Sequence, residues 1–231
     1  MKLYDENVIE EILKTIEMDE FDDEYQNEDA YSNNVSGWDA LKSIFERRFS
    51  LGRDNLEKKI LDIGCGSGSL FEYLPITHAL EPNSKRYKKA VEKGKKYGIV
   101  VKQGVAETIP YKSNLFDGVL VWGTWTFLRS WDEALYEINR VLKKGGLYIF
   151  DFYTESTLPI AKVNNEKNLI TRLRLFGFDV IERGDVLKDY TGYRRYLVVE
   201  KERDYDYRYF MLPQVIGKIN NYLPERDWFM R

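Results

Sequence analysis

Residues 60–70 read ILDIGCGSGSL, an apolar run that breaks into three glycines at alternate positions, and this stretch decides the fold. Ile60, Leu61 and Ile63 make a short apolar segment suited to a strand buried on both faces. Gly64, Gly66 and Gly68 follow at once, so the backbone can turn sharply and approach a ligand with no Cβ in the way. A nucleoside fits such a turn. The spacing is G-x-G-x-G, with Ser69 where the dinucleotide-binding pattern G-x-G-x-x-G carries its third glycine, which disfavours a pyrophosphate ligand.

Downstream, residues 74–94 read LPITHALEPNSKRYKKAVEKG. Thr77 to Leu80 form a second short strand that ends on an acid, Glu81. In a doubly wound sheet, ligands sit outside the carboxyl ends of the strands, where such a carboxylate accepts hydrogen bonds from ribose hydroxyls. Tyr87, Ala90, Val91 and Gly94 then fall at i, i+3, i+4 and i+7, so Ser84 to Lys96 reads as an amphipathic helix. Its basic residues, Lys85, Arg86, Lys88, Lys89, Lys93, Lys95 and Lys96, are better read as a solvated outer face than as a nucleic-acid patch.

The next segment supplies a third strand before Val105, a fourth from Phe116 to Trp122 and a helix after Ser130. Ser130 and Glu133 have the spacing of a capping box, and Ala134, Leu135, Ile138, Val141 and Leu142 form one apolar face. Gly145 and Gly146 are expected to end that helix, and Leu147 to Phe152 reads as a fifth strand. His78, the single histidine, falls at the start of the second strand, away from the edge where ligands bind. Glu166 to Phe176 reads as a helix, and Phe178 to Glu182 and Arg195 to Glu200 as two strands around a turn at Tyr190 to Tyr193.

With Asp62, the glycine turn becomes D-x-G-x-G-x-G, and residues 116–150 carry F-D-x-V and then E-x-x-R-V-L-K-x-G-G-x-x-x-F. These motifs resemble the class I S-adenosylmethionine-dependent methyltransferases, in the type 11, ubiquinone-biosynthesis-like subgroup, over roughly residues 35 to 202. The resemblance implies a Rossmann-like α/β three-layer sandwich whose seven-stranded, mostly parallel sheet has the order 3-2-1-4-5-7-6, with strand 7 antiparallel. It implies S-adenosylmethionine as cofactor, S-adenosylhomocysteine as product and no metal. The cofactor-binding positions it implies are Asp62, Gly64, Cys65, Gly66, Gly68, Glu81, Pro82, Ala106, Glu107, Trp122 and Gly123, with Glu81 on the ribose and the Ala106 amide and Glu107 on the adenine. Two departures stand out: Lys144 replaces a common proline, and the loop WGTWTFLRSW, residues 122–131, lacks the histidine that many members place there.

No general base can be assigned. Tyr31, Trp125, Asp151 and Tyr153 are the candidates for catalysis, with Trp38 as a further aromatic wall. The expected reaction is in-line methyl transfer to a small-molecule acceptor. The chain lacks a D/N/S-P-P-Y/F/W segment after the fourth strand and a Pro-Cys nucleophile, which argues against a nucleic-acid substrate. A non-catalytic S-adenosylmethionine-binding or regulatory module is the main alternative. A nicotinamide-dependent oxidoreductase is the lesser one, disfavoured by Ser69 and by the A-E-T-I-P segment at 106–110.

Composition suits one α/β unit with extensions: 231 residues, 43% hydrophobic, net charge −3. The organisation expected is an N-terminal helical extension or lid over residues 1–50, the cofactor-binding domain over 51–203 and an aromatic C-terminal extension over 204–231, with the extensions a route to a dimer. No apolar stretch reaches membrane-spanning length and the first residues are charged, so a cytoplasmic location with no membrane partner is expected. Cys65, the only cysteine, excludes an intrachain disulfide. Residues 1–30 hold twelve acids and two lysines, net −10, against +7 for the remainder. Val8, Ile9, Ile12, Leu13 and Ile16 give that start a helical apolar spacing, followed by the acidic run DEFDDEYQNED.

Overall fold

The computed structural model describes residues 37–49, 58–156, 164–189 and 192–206. Within them the elements are α1 (Trp38–Phe49), β1 (Ile60–Ile63), β2 (His78–Glu81), α2 (Ser84–Tyr97), β3 (Val100–Gln103), β4 (Phe116–Val121), α3 (Trp131–Val141), β5 (Leu142–Ser156), α4 (Glu166–Leu175), β6 (Phe178–Asp189) and β7 (Gly192–Lys201). A 3-10 turn at Trp125–Phe127 follows β4. The expected N-terminal helix at residues 8–16, the acidic run after it, Tyr31, the turn residues 190–191 and the tail beyond 206 lie outside the described residues.

Seven strands form one sheet of order β3-β2-β1-β4-β5-β7-β6. The first five are mutually parallel, and β7 runs antiparallel to both β5 and β6. Every residue of β1 is buried, as a strand covered on both faces requires. Side chains alternate between two apolar layers. Leu120, Ile149 and Val198 face the side covered by α1 and α2, where Leu41, Ile44, Phe45, Phe49 and Ala90 complete the packing. Val119, Val121, Tyr148, Phe150, Leu197 and Val199 face the side covered by α3 and α4, with Leu135, Ile138, Leu169 and Leu173.

Local chemistry sets the helix ends. The Asn83 side chain accepts from the Lys85 and Arg86 amides at the start of α2, and Gly98, at φ 71°, closes it. Ser130 Oγ accepts from the Glu133 amide at the start of α3. The end of α3 differs from expectation: it stops at Val141, ahead of the glycine pair. The buried Lys201 ammonium donates to the Asn139 and Leu142 carbonyls, so the helix end is satisfied by a side chain from β7. Gly145 and Gly146 instead lie in a register shift at the start of β5, between the pairs Phe116–Leu142 and Gly118–Leu147. A Cβ on Gly146 would sit 2.8 Å from the Lys143 carbonyl.

β5, β6 and β7 are longer than the sequence pattern suggests. The last parallel pair is Val121–Phe150, yet β5 continues to Ser156 against β7, and β6 follows to Asp189. At about 3.3 Å per residue, residues 151–156 carry this wing roughly 20 Å past the end of β4. Its charged alternation is held by Arg195 with Asp185 and Glu166, and by Arg183 with Glu166.

Lys201 also donates to Asn114 Oδ1 and pairs with Asp204. Replacing it by Met removes donors from buried carbonyls, and Lys201→Met is expected to lower stability by about 1 to 3 kcal/mol in urea unfolding.

Candidate functional site

The glycine turn folds back on the end of β2. The Gly64 and Cys65 amides both donate to the Leu80 carbonyl, at 2.8 and 3.0 Å. This places the carboxyl end of β1 beside that of β2 and brings two acids, Asp62 and Glu81, into one buried corner, 2% and 4% exposed. Glu81 is held on both oxygens: Oε2 accepts from the Gly66 amide at 2.8 Å and Oε1 from the Asn83 amide at 3.0 Å. Each oxygen keeps a lone pair for a further donor.

Asp62 is treated differently. Its Oδ2 is buried and meets no hydrogen-bond partner among the described residues. Burial, with a smaller contribution from the Glu81 charge, pushes its carboxyl up to about 7. Burial also raises Glu81, against the lowering effect of the Asn83 and Gly66 amides and of Arg86. The Cys65 thiol is pushed up by burial and by both acids, so it packs the turn as a neutral thiol and is a poor nucleophile.

The glycines have separate reasons. Gly64, at φ 72°, lies against Thr124, and a Cβ there would collide with that side chain. A Cβ on Gly66, at φ 56°, would meet nothing within 4 Å, so this part of the turn faces open space next to Glu81. An unpartnered buried carboxylate oxygen, a second carboxylate with spare lone pairs and an open backbone cradle fit a group that brings an ammonium and vicinal hydroxyls.

β4 lies next to β1 on the other side, so its end completes the crevice at the point where strand order reverses. Trp122 and Gly123 stand there, the Trp122 Nε1 buried without a partner among the described residues. Thr124 Oγ1 donates to the Gly64 carbonyl at 3.3 Å, tying this loop to the glycine turn. From the opposite side, Asp151 Oδ1 accepts from the Gly123 amide at 2.5 Å. Asp151 Oδ2 is held by Arg194 of β7, whose guanidinium also covers the Tyr153 ring at 5.6 Å.

The remaining candidates are placed as follows. Pro82 leads out of β2, its carbonyl accepting from Gln103. Ala106 is buried in the core layer with α3. Glu107 Oε1 accepts from the Arg129 and Ser130 amides, at 2.8 and 3.2 Å, and so caps the approach to α3. Trp125 departs from its expected place at the ligand edge. It is 1% exposed, with its indole stacked on Trp131 and tilted against Phe150, because the 3-10 turn rotates it into the core. Asp151 reaches the edge but bonded to Arg194 and Gly123, which removes it from the set of simple proton acceptors. Tyr31 lies outside the described residues, and of Trp38 only the backbone, at the start of α1, is described. His78 packs edge-on against Tyr111 and Phe116 at the far end of β2. Arg194 and Thr124 were not singled out for these roles from sequence, although a carboxylate inside the apolar strand YIFDFY was a signal that a neighbouring strand must supply a cation. Among the described residues no group of three or more His, Cys, Asp or Glu could hold a metal, and no helix is long and apolar enough to cross a membrane.

Two measurements test this geometry. Because the folded state holds the Asp62 proton far more tightly than the unfolded chain, its contribution to stability is present below about pH 4 and is lost as pH rises toward 7, at up to about 1.4 kcal/mol per unit. The ligand-free Asp62→Asn protein should therefore gain about 2 to 3 kcal/mol relative to the parent between pH 5 and pH 8 in chemical unfolding. Separately, Arg194→Met leaves Asp151 buried without its counter-charge and should cost about 3 to 5 kcal/mol, part of which the added Asp151→Asn change restores.

A family profile described as a methyltransferase domain matches residues 61–150. The chain is 32% identical over 134 residues to a glycine/sarcosine/dimethylglycine N-methyltransferase of Actinopolyspora halophila, covering 52% of this chain and 22% of that protein. It is 32% identical over 124 residues to a sarcosine/dimethylglycine N-methyltransferase of Halorhodospira halochloris, covering 48% and 44%. The chain thus spans less than half the length of these curated relatives. Among solved structures, an S-adenosylmethionine-dependent methyltransferase of Thermotoga maritima, described as a possible histamine N-methyltransferase, superposes with a TM-score of 0.62 at 24% identity, over 79% of this chain and 96% of that one. Over residues 61–150 the chain is thus similar to methyltransferase domains, and its sheet has the order that the sequence motifs led us to expect.

Proposed function

We propose that this protein binds S-adenosylmethionine in the corner between β1, β2 and β4 and transfers its methyl group to a small-molecule amine. The observation that carries the reading is the pair of buried acids, Asp62 with a partnerless oxygen and Glu81 with spare lone pairs, around the open backbone at Gly66. When bound, S-adenosylmethionine supplies a methyl group on a sulfonium, and its displacement by an acceptor lone pair leaves S-adenosylhomocysteine.

The chain's own residues then have distinct tasks. Glu81 accepts from the ribose hydroxyls, and the Gly66 and Asn83 amides keep that carboxylate fixed before the ligand arrives, so little ordering remains to be done on binding. Asp62 accepts from an ammonium or hydroxyl donor, which relieves its unfavourable burial. Trp122 and the Gly123 backbone border the reacting end, held between Thr124 and Asp151. Methyl transfer from a sulfonium needs in-line placement more than a strong base, which suits an edge where Asp151 is paired and the histidine is remote. The amine class is favoured by the two curated relatives, both named as N-methyltransferases of glycine derivatives.

The same paired Asp151 favours a second reading, a module that binds the nucleoside without turnover. Calorimetric titration separates the cofactor question from the acceptor question. S-adenosylmethionine and S-adenosylhomocysteine are expected to bind while NAD does not, and Glu81→Ala should weaken both by about 1 to 3 kcal/mol. Unchanged affinity in that variant would remove the ribose assignment. Methyl transfer to glycine, sarcosine or dimethylglycine in a product assay would establish turnover, whereas tight binding with no transfer to a broad amine panel would support the non-catalytic module.

A further inference from the structure

Glu137 and Arg140, the acid and the base of the motif E-x-x-R, stand one turn apart on α3, and both are directed at the backbone of the segment after β3. Glu137 is fully buried. Its Oε2 accepts from the Ile109 amide and from Arg140 Nη2, each at 2.7 Å, and its Oε1 accepts from Arg140 Nε at 2.6 Å. The same guanidinium donates to the Ile109 carbonyl at 2.9 Å and to the Tyr111 carbonyl at 2.8 Å. At the other end of α3, Glu107 accepts from the Arg129 and Ser130 amides. Residues 107–111 are therefore tied to both ends of one helix.

The segment so held begins beside the ribose corner. Gly104 donates its amide to the Glu81 carbonyl at 3.4 Å, at the carboxyl end of the paired strands β2 and β3. In an S-adenosyl nucleoside the base and the 5′ carbon that leads to sulfur leave the ribose ring in opposite directions. With the hydroxyls at Glu81 and the sulfonium toward Trp122 and Gly123 after β4, the base runs the other way along the sheet edge, past the end of β3 and onto residues 104–108. Ala106 stands there, 3% exposed, and its amide meets no acceptor among the described residues.

We propose, on the strength of the ribose assignment at Glu81, that Glu137 and Arg140 are positioning residues for base selection, holding residues 104–111 in the one shape that reads an adenine. Neither side chain touches the ligand; both act through the backbone of Ile109 and Tyr111. The Ala106 amide is a donor and the Glu107 carboxylate an acceptor, which matches N1 and the 6-amino group of adenine. Hypoxanthine, with N1–H and a 6-oxygen, reverses both. Such discrimination needs the segment set before the ligand arrives. A buried ion pair serves that position more than stability, since an apolar pair of similar volume would pack α3 without the desolvation cost.

Calorimetric titration of the full-length protein with S-adenosylhomocysteine and S-inosylhomocysteine tests this directly. The parent should prefer the adenine ligand by at least about 20-fold, because a site built to pair with one set of donors and acceptors rejects the reversed set. In Arg140→Lys and in Glu137→Gln that preference should fall below about 3-fold, through weaker binding of the adenine ligand alone, since the ribose contacts are untouched. Independently of any variant, the Ile109 amide of the ligand-free parent should exchange its hydrogen as slowly as the amides of α3. An unchanged preference in both variants would overturn the proposal. So would an equal loss of both ligands, which marks a purely structural pair, or an Ile109 amide that is protected only once ligand binds. Equal affinity of the parent for the two ligands would also overturn it, while leaving the ribose assignment to the Glu81→Ala measurement. Binding of neither would bring down the cofactor reading and this proposal with it.

Discussion

Two buried acids share one corner, and much of the structure around the site is arranged to tolerate them. Asp62 stands one residue before the end of a strand that is buried on every side chain, and Glu81 ends its neighbour. Like charges in low dielectric repel strongly, so both cannot stay ionised cheaply unless donors are supplied. Backbone amides from the glycine turn and from the start of α2 serve Glu81. Asp62 is left to carry the imbalance, which makes it the group most altered by an incoming donor. The turn can provide this service only because its amides also bond to Leu80, fixing its position against the sheet.

A second polar tie lies across the crevice. Asp151 joins the Gly123 amide to Arg194, and Thr124 joins the same loop to Gly64. The loop after β4 is thereby held by both halves of the sheet, the parallel half through the glycine turn and the antiparallel wing through the ion pair. A network of this kind, with its charges buried and mutually satisfied, favours one arrangement of the loop over others.

The sequence made the parallel half readable for a physical reason. Strands covered on both faces must be continuous apolar runs, and the acids and glycines that follow them stand out against that background. The limits of α2 and β4 came within a residue of expectation. Where the reading fell short, the deciding contacts came from distant elements. The end of α3 depends on Lys201, sixty residues further along the chain and without local signal. The wing strands alternate charges that resemble a loop until their partners across the ladder are known. Glu107 carries a motif-like position, yet its nearest donors belong to the loop after β4, whose path no local pattern specifies. Trp125 was placed by strand counting, whereas a single 3-10 turn swings its ring inward.

The wing that runs past the end of β4 separates two kinds of change. Beyond Asp151, which is tied to the Gly123 amide, residues 152–156 and the facing stretches of β6 and β7 find their strand partners only in each other. Substitutions there can reshape the far wall while the glycine turn and its two acids remain untouched. The same frame can thus be altered by mutation at one margin while the corner between β1, β2 and β4 is left unchanged.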